Sequence, residues 1–272
     1  LLLPDQTSKN KALFKTTQRS WSLAQQWHCE QWARTVAKQV GLLCLFVFIS
    51  IGFPLQAKTV TVAAGAWGDM TAANGGGLYF QVLREALGGA DTELKFRVTN
   101  WKRAKQMFYA NRADLLLADY RSVGSRQFFP LWHLDMDPPV VLFSLQTFVS
   151  AEKLKDKTVG WLLGYEFDQF LPVSVNGVEV SAEQFGFDML EYGRLDAYIS
   201  YDNNVPQTLR PKLKRLQLAP AQPLYPVFQN TFAGRQLAAE FDRGMQRLYQ
   251  SGRLAQIYAE HFQQAGFPAL QR

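Results

Sequence analysis

The chain has 272 residues, 47% of them hydrophobic and 19% charged, with 29 Lys plus Arg against 23 Asp plus Glu. Lys9, Lys11, Lys15, Arg19, Arg34 and Lys38 precede residue 58, against only Asp5 and Glu30, so the body from Lys58 onward holds 23 basic and 21 acidic residues. That near balance removes the basic footprint on which nucleic-acid binding depends. Cys29 and Cys44 also precede residue 58, which excludes disulfides, cysteine nucleophiles and cysteine zinc sites from the body.

Residues 1–39 show no sustained strand or helix period and are set apart as an N-terminal extension outside the mature protein. Residues 40–57 follow Lys38 with an uncharged run, VGLLCLFVFISIGFPL, broken by Gly52 and Pro54 and closed by Leu55-Gln56-Ala57. The run is shorter than the roughly 20 residues that cross a bilayer, so it reads as a signal peptide that exports the body to the periplasm. An uncleaved anchor is the alternative reading.

In the body, Val60 and Val62 alternate along residues 59–64 as in a strand, and Leu78, Phe80, Val82, Leu83 and Leu87 then recur at helical spacing. Leu94, Phe96 and Val98 alternate with polar residues, Trp101, Ala104, Met107 and Phe108 mark one helix face, and residues 115–118 are a short apolar strand. Strands alternating with helices predict crossover connections and a mostly parallel sheet. Residues 128–148 read as an extended section interrupted by Pro130, Pro138 and Pro139, and the charged run 153–157 suggests a lobe boundary. The pattern restarts with a strand at 158–163, a helix start at 164–171, a helix at 182–190 and a strand at 195–200. Two helices, 235–249 and 254–262, close the chain. The expected organisation is a first lobe of residues 58–147 plus 226–272 and a second of residues 148–225.

The order of several pieces resembles a known family. Ala64-Gly65-Ala66-Trp67 ends the first strand, Asn74-Gly75-Gly76-Gly77-Leu78 precedes the first helix, and Asn100-Trp101-Lys102-Arg103-Ala104 opens the second. Ala113-Asp114 precedes the third strand, Arg121 to Arg126 follow it, and Gly193-Arg194-Leu195-Asp196-Ala197 and Gly252-Arg253-Leu254-Ala255-Gln256-Ile257-Tyr258 come later. In this order they resemble the bacterial extracellular solute-binding proteins of family 3, the polar amino acid receptors of ABC importers. The resemblance implies a two-lobed α/β fold of the type II periplasmic binding protein kind, with ligand held in a cleft that closes by a hinge motion. It also implies a monomer that hands a small-molecule ligand to a membrane permease, with no cofactor and no nucleic acid partner.

Carried over residue by residue, the family pattern places Trp67 where an aromatic ring stacks on ligand, although ordinary packing explains the same residue. Arg126 takes the position of the arginine that pairs with a ligand carboxylate and is the strongest polar candidate, and Arg121 is its nearby alternative; a solvated surface charge is the weaker reading of either. Asp119-Tyr120-Arg121 departs from the small residues that relatives carry there. Gly164-Tyr165 would open a helix whose free N–H groups receive an anion. Tyr201 stands where relatives place an acid for the ligand amine, with Asp202 one residue later, a position that also suits a helix cap. Asp69, Tyr79, Trp101, Tyr120 and Phe228 are further cleft candidates, Trp101 having the spacing of a core anchor.

Catalysis finds little support in the residues. Gly75–Gly77 lacks the following Lys-Ser or Lys-Thr of a phosphate loop, and His133 and His261 have no metal-ligand spacing, so no metal site is expected. Asp135 and Asp137 read as a solvated strand edge. Two alternatives stay open: an enzyme similar to a periplasmic dehydratase of cyclic acids, with Asp119 or Glu166 as general acid or base, and a sensing module for a membrane partner.

Overall fold

The computed structural model describes residues 58–89, 92–121 and 127–267; the N-terminal extension, the signal segment and Arg126 lie outside the described residues. Ten strands form two five-stranded sheets. β1 (Lys58–Gly65) is followed by α1 (Leu78–Leu87), β2 (Thr92–Thr99), α2 (Trp101–Tyr109) and β3 (Leu115–Tyr120). β1 pairs in parallel with both β2 and β3, as the alternation of strands and helices predicts. β4 (Asp135–Asp137) and β10 (Gln222–Phe228) complete this sheet in antiparallel fashion, in the order β2-β1-β3-β10-β4.

The second sheet runs β7-β6-β8-β5-β9, from β5 (Val140–Ser144), β6 (Thr158–Leu162), β7 (Asn176–Val180), β8 (Ala197–Tyr201) and β9 (Lys214–Ala219). Here β6 is parallel to β7 and β8, and β5 is antiparallel to β8 and β9. Parallel and antiparallel pairings are therefore equal in number, against the expectation of a mostly parallel sheet. The reason is that each lobe receives strands from both crossings between lobes, and those enter in the opposite direction.

Membership of the sheets also moves the lobe limits. Residues 140–144 were expected in the first lobe, but β5 is buried along its whole length in the second sheet. The chain thus crosses at Pro138-Pro139 and returns between β9 and β10 at Pro220-Ala221. Proline, with no N–H to give a sheet, belongs at such an exit.

The first sheet is covered on one face by α1, α4 (Phe232–Gln250) and α5 (Arg253–Tyr258). Val62, Phe80, Leu83, Leu117, Phe241 and Met245 are among the residues of that core. α2 covers the other face with Trp101, Ala104 and Phe108 against Ala63 and Leu116. The second sheet buries Phe187 and Leu190 of α3 (Glu183–Glu191) with Tyr198 on one face, and Leu154 and Phe167 of two short 3-10 turns with Ile199 on the other. In α1 the buried positions Tyr79, Phe80, Val82, Leu83, Ala86 and Leu87 form one stripe, the arrangement an amphipathic helix needs to face a sheet. The helix start expected at 164–171 is a turn followed by the four-residue 3-10 helix Phe167–Phe170.

Candidate ligand-binding cleft

Side chains from the carboxyl ends of β1, β3 and β8, from α2, and from the turn after β6 meet between the two lobes, where ligands lodge in open α/β sheets. Trp67 is placed by a local lock: its N–H donates to Thr71 Oγ1 at 3.0 Å, and that hydroxyl donates to the Gly65 carbonyl at 2.6 Å. The indole lies so close over Gly65 that a Cβ there would stand 2.5 Å from the ring. Across the cleft, Trp67 Nε1 donates to the Tyr165 hydroxyl at 2.9 Å, while on its own lobe the ring packs 5.2 Å from that of Trp101.

α2 supplies two lysines. Asn100 caps this helix by accepting from the Arg103 N–H at 2.9 Å, which sets where the first turn begins. Lys102 Nζ then reaches Glu179 Oε2 of β7 at 2.7 Å, and Lys105 Nζ reaches Glu166 Oε1 at 2.8 Å. Both ion pairs run from the first lobe to the second. Lys105 is 6% exposed, so its ammonium has given up most of its water and depends on that partner. Glu179 is held below the ordinary carboxylate range, first by the hydrogen bond from Lys102.

A third contact lies beside the crossing itself. Asp137 ends β4, immediately before Pro138-Pro139, and its Oδ2 accepts from the hydroxyls of Tyr120, at the end of β3, and Tyr201, at the end of β8. The Tyr201 bond is 2.5 Å, and the two hydroxyl oxygens are 3.1 Å apart. Burial pushes Asp137 up to about 6 against the two hydroxyl donors, with Asp135 adding to the rise. Asp119 is likewise pushed up to about 6, by burial first and then by Glu166, against the Tyr120 N–H and Lys105. Burial also lifts the hydroxyls of Tyr120, Tyr165 and Tyr201 above their ordinary range, so all three remain protonated donors at neutral pH.

The sequence candidates divide accordingly. Trp67, Tyr120 and Tyr165 come together with Trp101 and Tyr201 at this interface. Gly164 is present too, but its N–H donates to Glu179 Oε1 at 2.9 Å, and no helix N-terminus opens there to take an anion. What Gly164 provides is closeness: at φ +84°, a Cβ on it would lie 2.7 Å from the Lys102 nitrogen of the other lobe.

The remaining candidates are engaged elsewhere. Asp202 pairs with Arg210 at 3.2 Å and with Arg215, both in its own lobe. Arg121 donates to the Pro130 carbonyl and lays its guanidinium 4.2 Å from the Tyr225 ring centroid. Tyr79 is buried in the first lobe with its hydroxyl donating to Asp135 Oδ2 at 2.8 Å, and Phe228 is fully buried in the same core. Asp69 is exposed, its carbonyl accepting the Leu78 N–H that starts α1.

Asp135 and Asp137 depart from the solvated edge expected of them. β4 is an edge strand, yet tyrosine hydroxyls hold both carboxylates. The signal for Asp137 was its place directly before two prolines that change lobes. Lys102, Lys105 and Glu179 carried no comparable signal, because each looks like an ordinary surface charge on an amphipathic element. Among the described residues no group of three His, Cys, Asp or Glu side chains is arranged to hold a metal, and no helix is long and apolar enough to cross a membrane.

No protein-family model matches the chain. No curated protein sequence matches it either. Solved structures do. The substrate-binding protein of an amino acid ABC transporter is 16% identical with a TM-score of 0.57, the match covering 76% of this chain and 100% of that one. The GluR0 ligand-binding core from Nostoc punctiforme, in complex with L-glutamate, is 15% identical at TM-score 0.58, over 74% of this chain and 98% of that one. A histidine kinase sensor domain with similarity to periplasmic binding proteins is 17% identical at TM-score 0.58, over 78% and 98%. With two α/β sheets joined by paired crossings, the chain has the two-lobed fold of the periplasmic binding proteins.

Proposed function

We propose that the body from Lys58 onward is an exported solute-binding protein of the family 3 type, which captures a small polar or acidic, amino-acid-like solute by hinge closure and delivers it to an ABC permease. The observation that carries this reading is the set of direct contacts between lobes, Trp67 to Tyr165, Lys102 to Glu179 and Lys105 to Glu166, all at the mouth of the sheets. Groups that pair with each other in the closed form become available to a ligand when the hinge opens, and a buried polar group left without a partner costs about 1 to 3 kcal/mol. Such a cleft discriminates among solutes without any chemistry. The resemblance in sequence order and the likeness in fold to an amino acid transporter's binding protein point the same way. On this reading residues 40–57 act as the export signal, the working compartment is the periplasm, the protein is a monomer, and the cleft binds without catalysing.

The likeness to a sensor domain supports a second destination for the same closed state, a membrane signalling partner in place of a permease. Either use requires capture of an intact ligand. A thermal-shift screen of amino acids, small amines, organic acids and short peptides against the purified body is expected to give a stabilising solute that is recovered unchanged. Conversion of a hit to product would instead favour the enzyme reading, with Asp119 or Glu166 as acid or base.

A further inference from the structure

We propose that the two lobes carry a latch of their own: Lys102 and Lys105 of the first lobe and Glu166 and Glu179 of the second form one array of opposite charges that draws the lobes together, so that the protein samples its closed form before a solute is captured. The inference rests on the solute-binding reading, in which the lobes part and close, and adds what governs that motion.

One turn carries most of the latch. The chain leaves β6 through Leu163-Gly164-Tyr165-Glu166, where the Tyr165 N–H donates back to the Leu162 carbonyl at 3.0 Å and the backbone is left-handed at Gly164 (φ +84°) and Glu166 (φ +54°). That conformation is uncommon for a residue with a Cβ and persists where surrounding contacts hold it. Here consecutive side chains both reach the other lobe. The Tyr165 hydroxyl accepts from Trp67 Nε1 at 2.9 Å, and Glu166 Oε1 meets Lys105 Nζ at 2.8 Å. Glu179, on the neighbouring strand β7, is aimed from within its own lobe: Oε1 accepts the Gly164 N–H at 2.9 Å, which turns Oε2 toward Lys102 Nζ at 2.7 Å. A carboxylate already oriented loses little freedom when it pairs.

The first lobe presents matching cations. Lys102 and Lys105 lie three residues apart on α2, so they share one side of the helix. A single exposed pair such as Lys102–Glu179 contributes little by itself. These two pairs reinforce each other: Glu179 is held ionised first by the Lys102 hydrogen bond, with the Gly164 N–H and the nearby charge of Lys105 adding to it. Lys105 is buried with its ammonium 5.6 Å from the Trp101 ring, whereas the Glu166 side chain stays 66% exposed and keeps most of its water. Closing the pair therefore gives a buried ammonium its partner at little desolvation cost to the carboxylate.

Double electron–electron resonance on the full chain tests the latch. Cys29→Ser and Cys44→Ser remove the native cysteines, and Arg97→Cys and Gln184→Cys place spin labels at exposed positions on β2 and α3. Unfolding in guanidinium and refolding strips any co-purified solute. In about 50 mM NaCl the interlobe distance is expected to show a shorter component, and about 1 M NaCl, with a screening length of about 3 Å, should reduce that component by about threefold or more. Lys102→Glu and Glu179→Lys should each reduce it similarly, and combining them should restore it, a coupling that two independent packing defects would not show. The salt series needs no latch variant, so it decides even where a charge reversal fails to fold. A single longer distance that neither salt nor charge moves, yet that shortens with a mixture of the protein amino acids, would overturn the latch and leave the receptor reading standing. A shorter component indifferent to salt and to these substitutions would overturn the role of the four charges. One distance fixed under every condition, the amino acids included, would overturn the latch and count against hinge closure itself.

Discussion

Asp137 and Asp119 are ionised at neutral pH at a cost. A carboxyl whose folded pKa stands above its unfolded value binds protons more readily in the folded state, so its stability contribution is fully present below about pH 4 and is lost as the pH rises through about 6. With both groups raised to about 6, the penalty at neutral pH is up to about 3 kcal/mol for each. The unliganded body is therefore expected to melt at a higher temperature near pH 5 than near pH 7. The Asp119→Asn, Asp137→Asn double variant should flatten that difference, as differential scanning fluorimetry across the range would show; an unchanged slope in the variant would place the titration elsewhere.

Helices place the cleft residues through close packing on the far side of the sheet as much as through caps. Gly244 of α4 faces Ala86 of α1, and a Cβ at that position would collide with the Ala86 carbonyl oxygen. Two effects oppose each other in Gly244→Ala. The intrinsic helix gain is about 1 kcal/mol, whereas overpacking against backbone that cannot yield costs about 1 to 3 kcal/mol. The collision is expected to win, giving a net loss of stability in urea unfolding, and a more stable variant would show that α1 and α4 separate freely. The periodicity of both helices was legible in the sequence, because Leu237, Phe241, Met245 and Leu248 recur at 3.6-residue spacing. Their mutual approach was not, since a glycine in a helix gives no sign of which backbone lies opposite.

In the proposed hinge closure, the approach of the two lobes is limited where the backbones of Gly164 and Lys102 meet. Gly164→Ala would put a methyl group 2.7 Å from the Lys102 nitrogen and hold the lobes apart. Gly193 provides the control: it has φ +66° and open space around its Cβ, so Gly193→Ala carries the left-handed strain without the contact. Small-angle scattering with saturating ligand should show compaction in wild type and Gly193→Ala and none in Gly164→Ala. Compaction in all three would mean that this contact does not limit closure.

The alternation of strands and helices, the apolar stripes of α1, α2 and α4 and the ordered motifs around Trp67, Asn100 and Gly252 were enough to read a two-lobed α/β body, because periodicity and turn chemistry are local properties. The same local reading missed β7, β9 and β10, left β4 and β5 undivided within one extended section, and extended the first lobe past the crossing at Pro138-Pro139. It also assigned Asp202 and Arg121 to the ligand when each has a nearer partner in its own lobe. Which charges are spent and which stay open depends on residues far apart in the chain, such as Lys102 with Glu179 or Tyr120 and Tyr201 with Asp137. That pairing exists only once both sheets have formed and their carboxyl ends face each other.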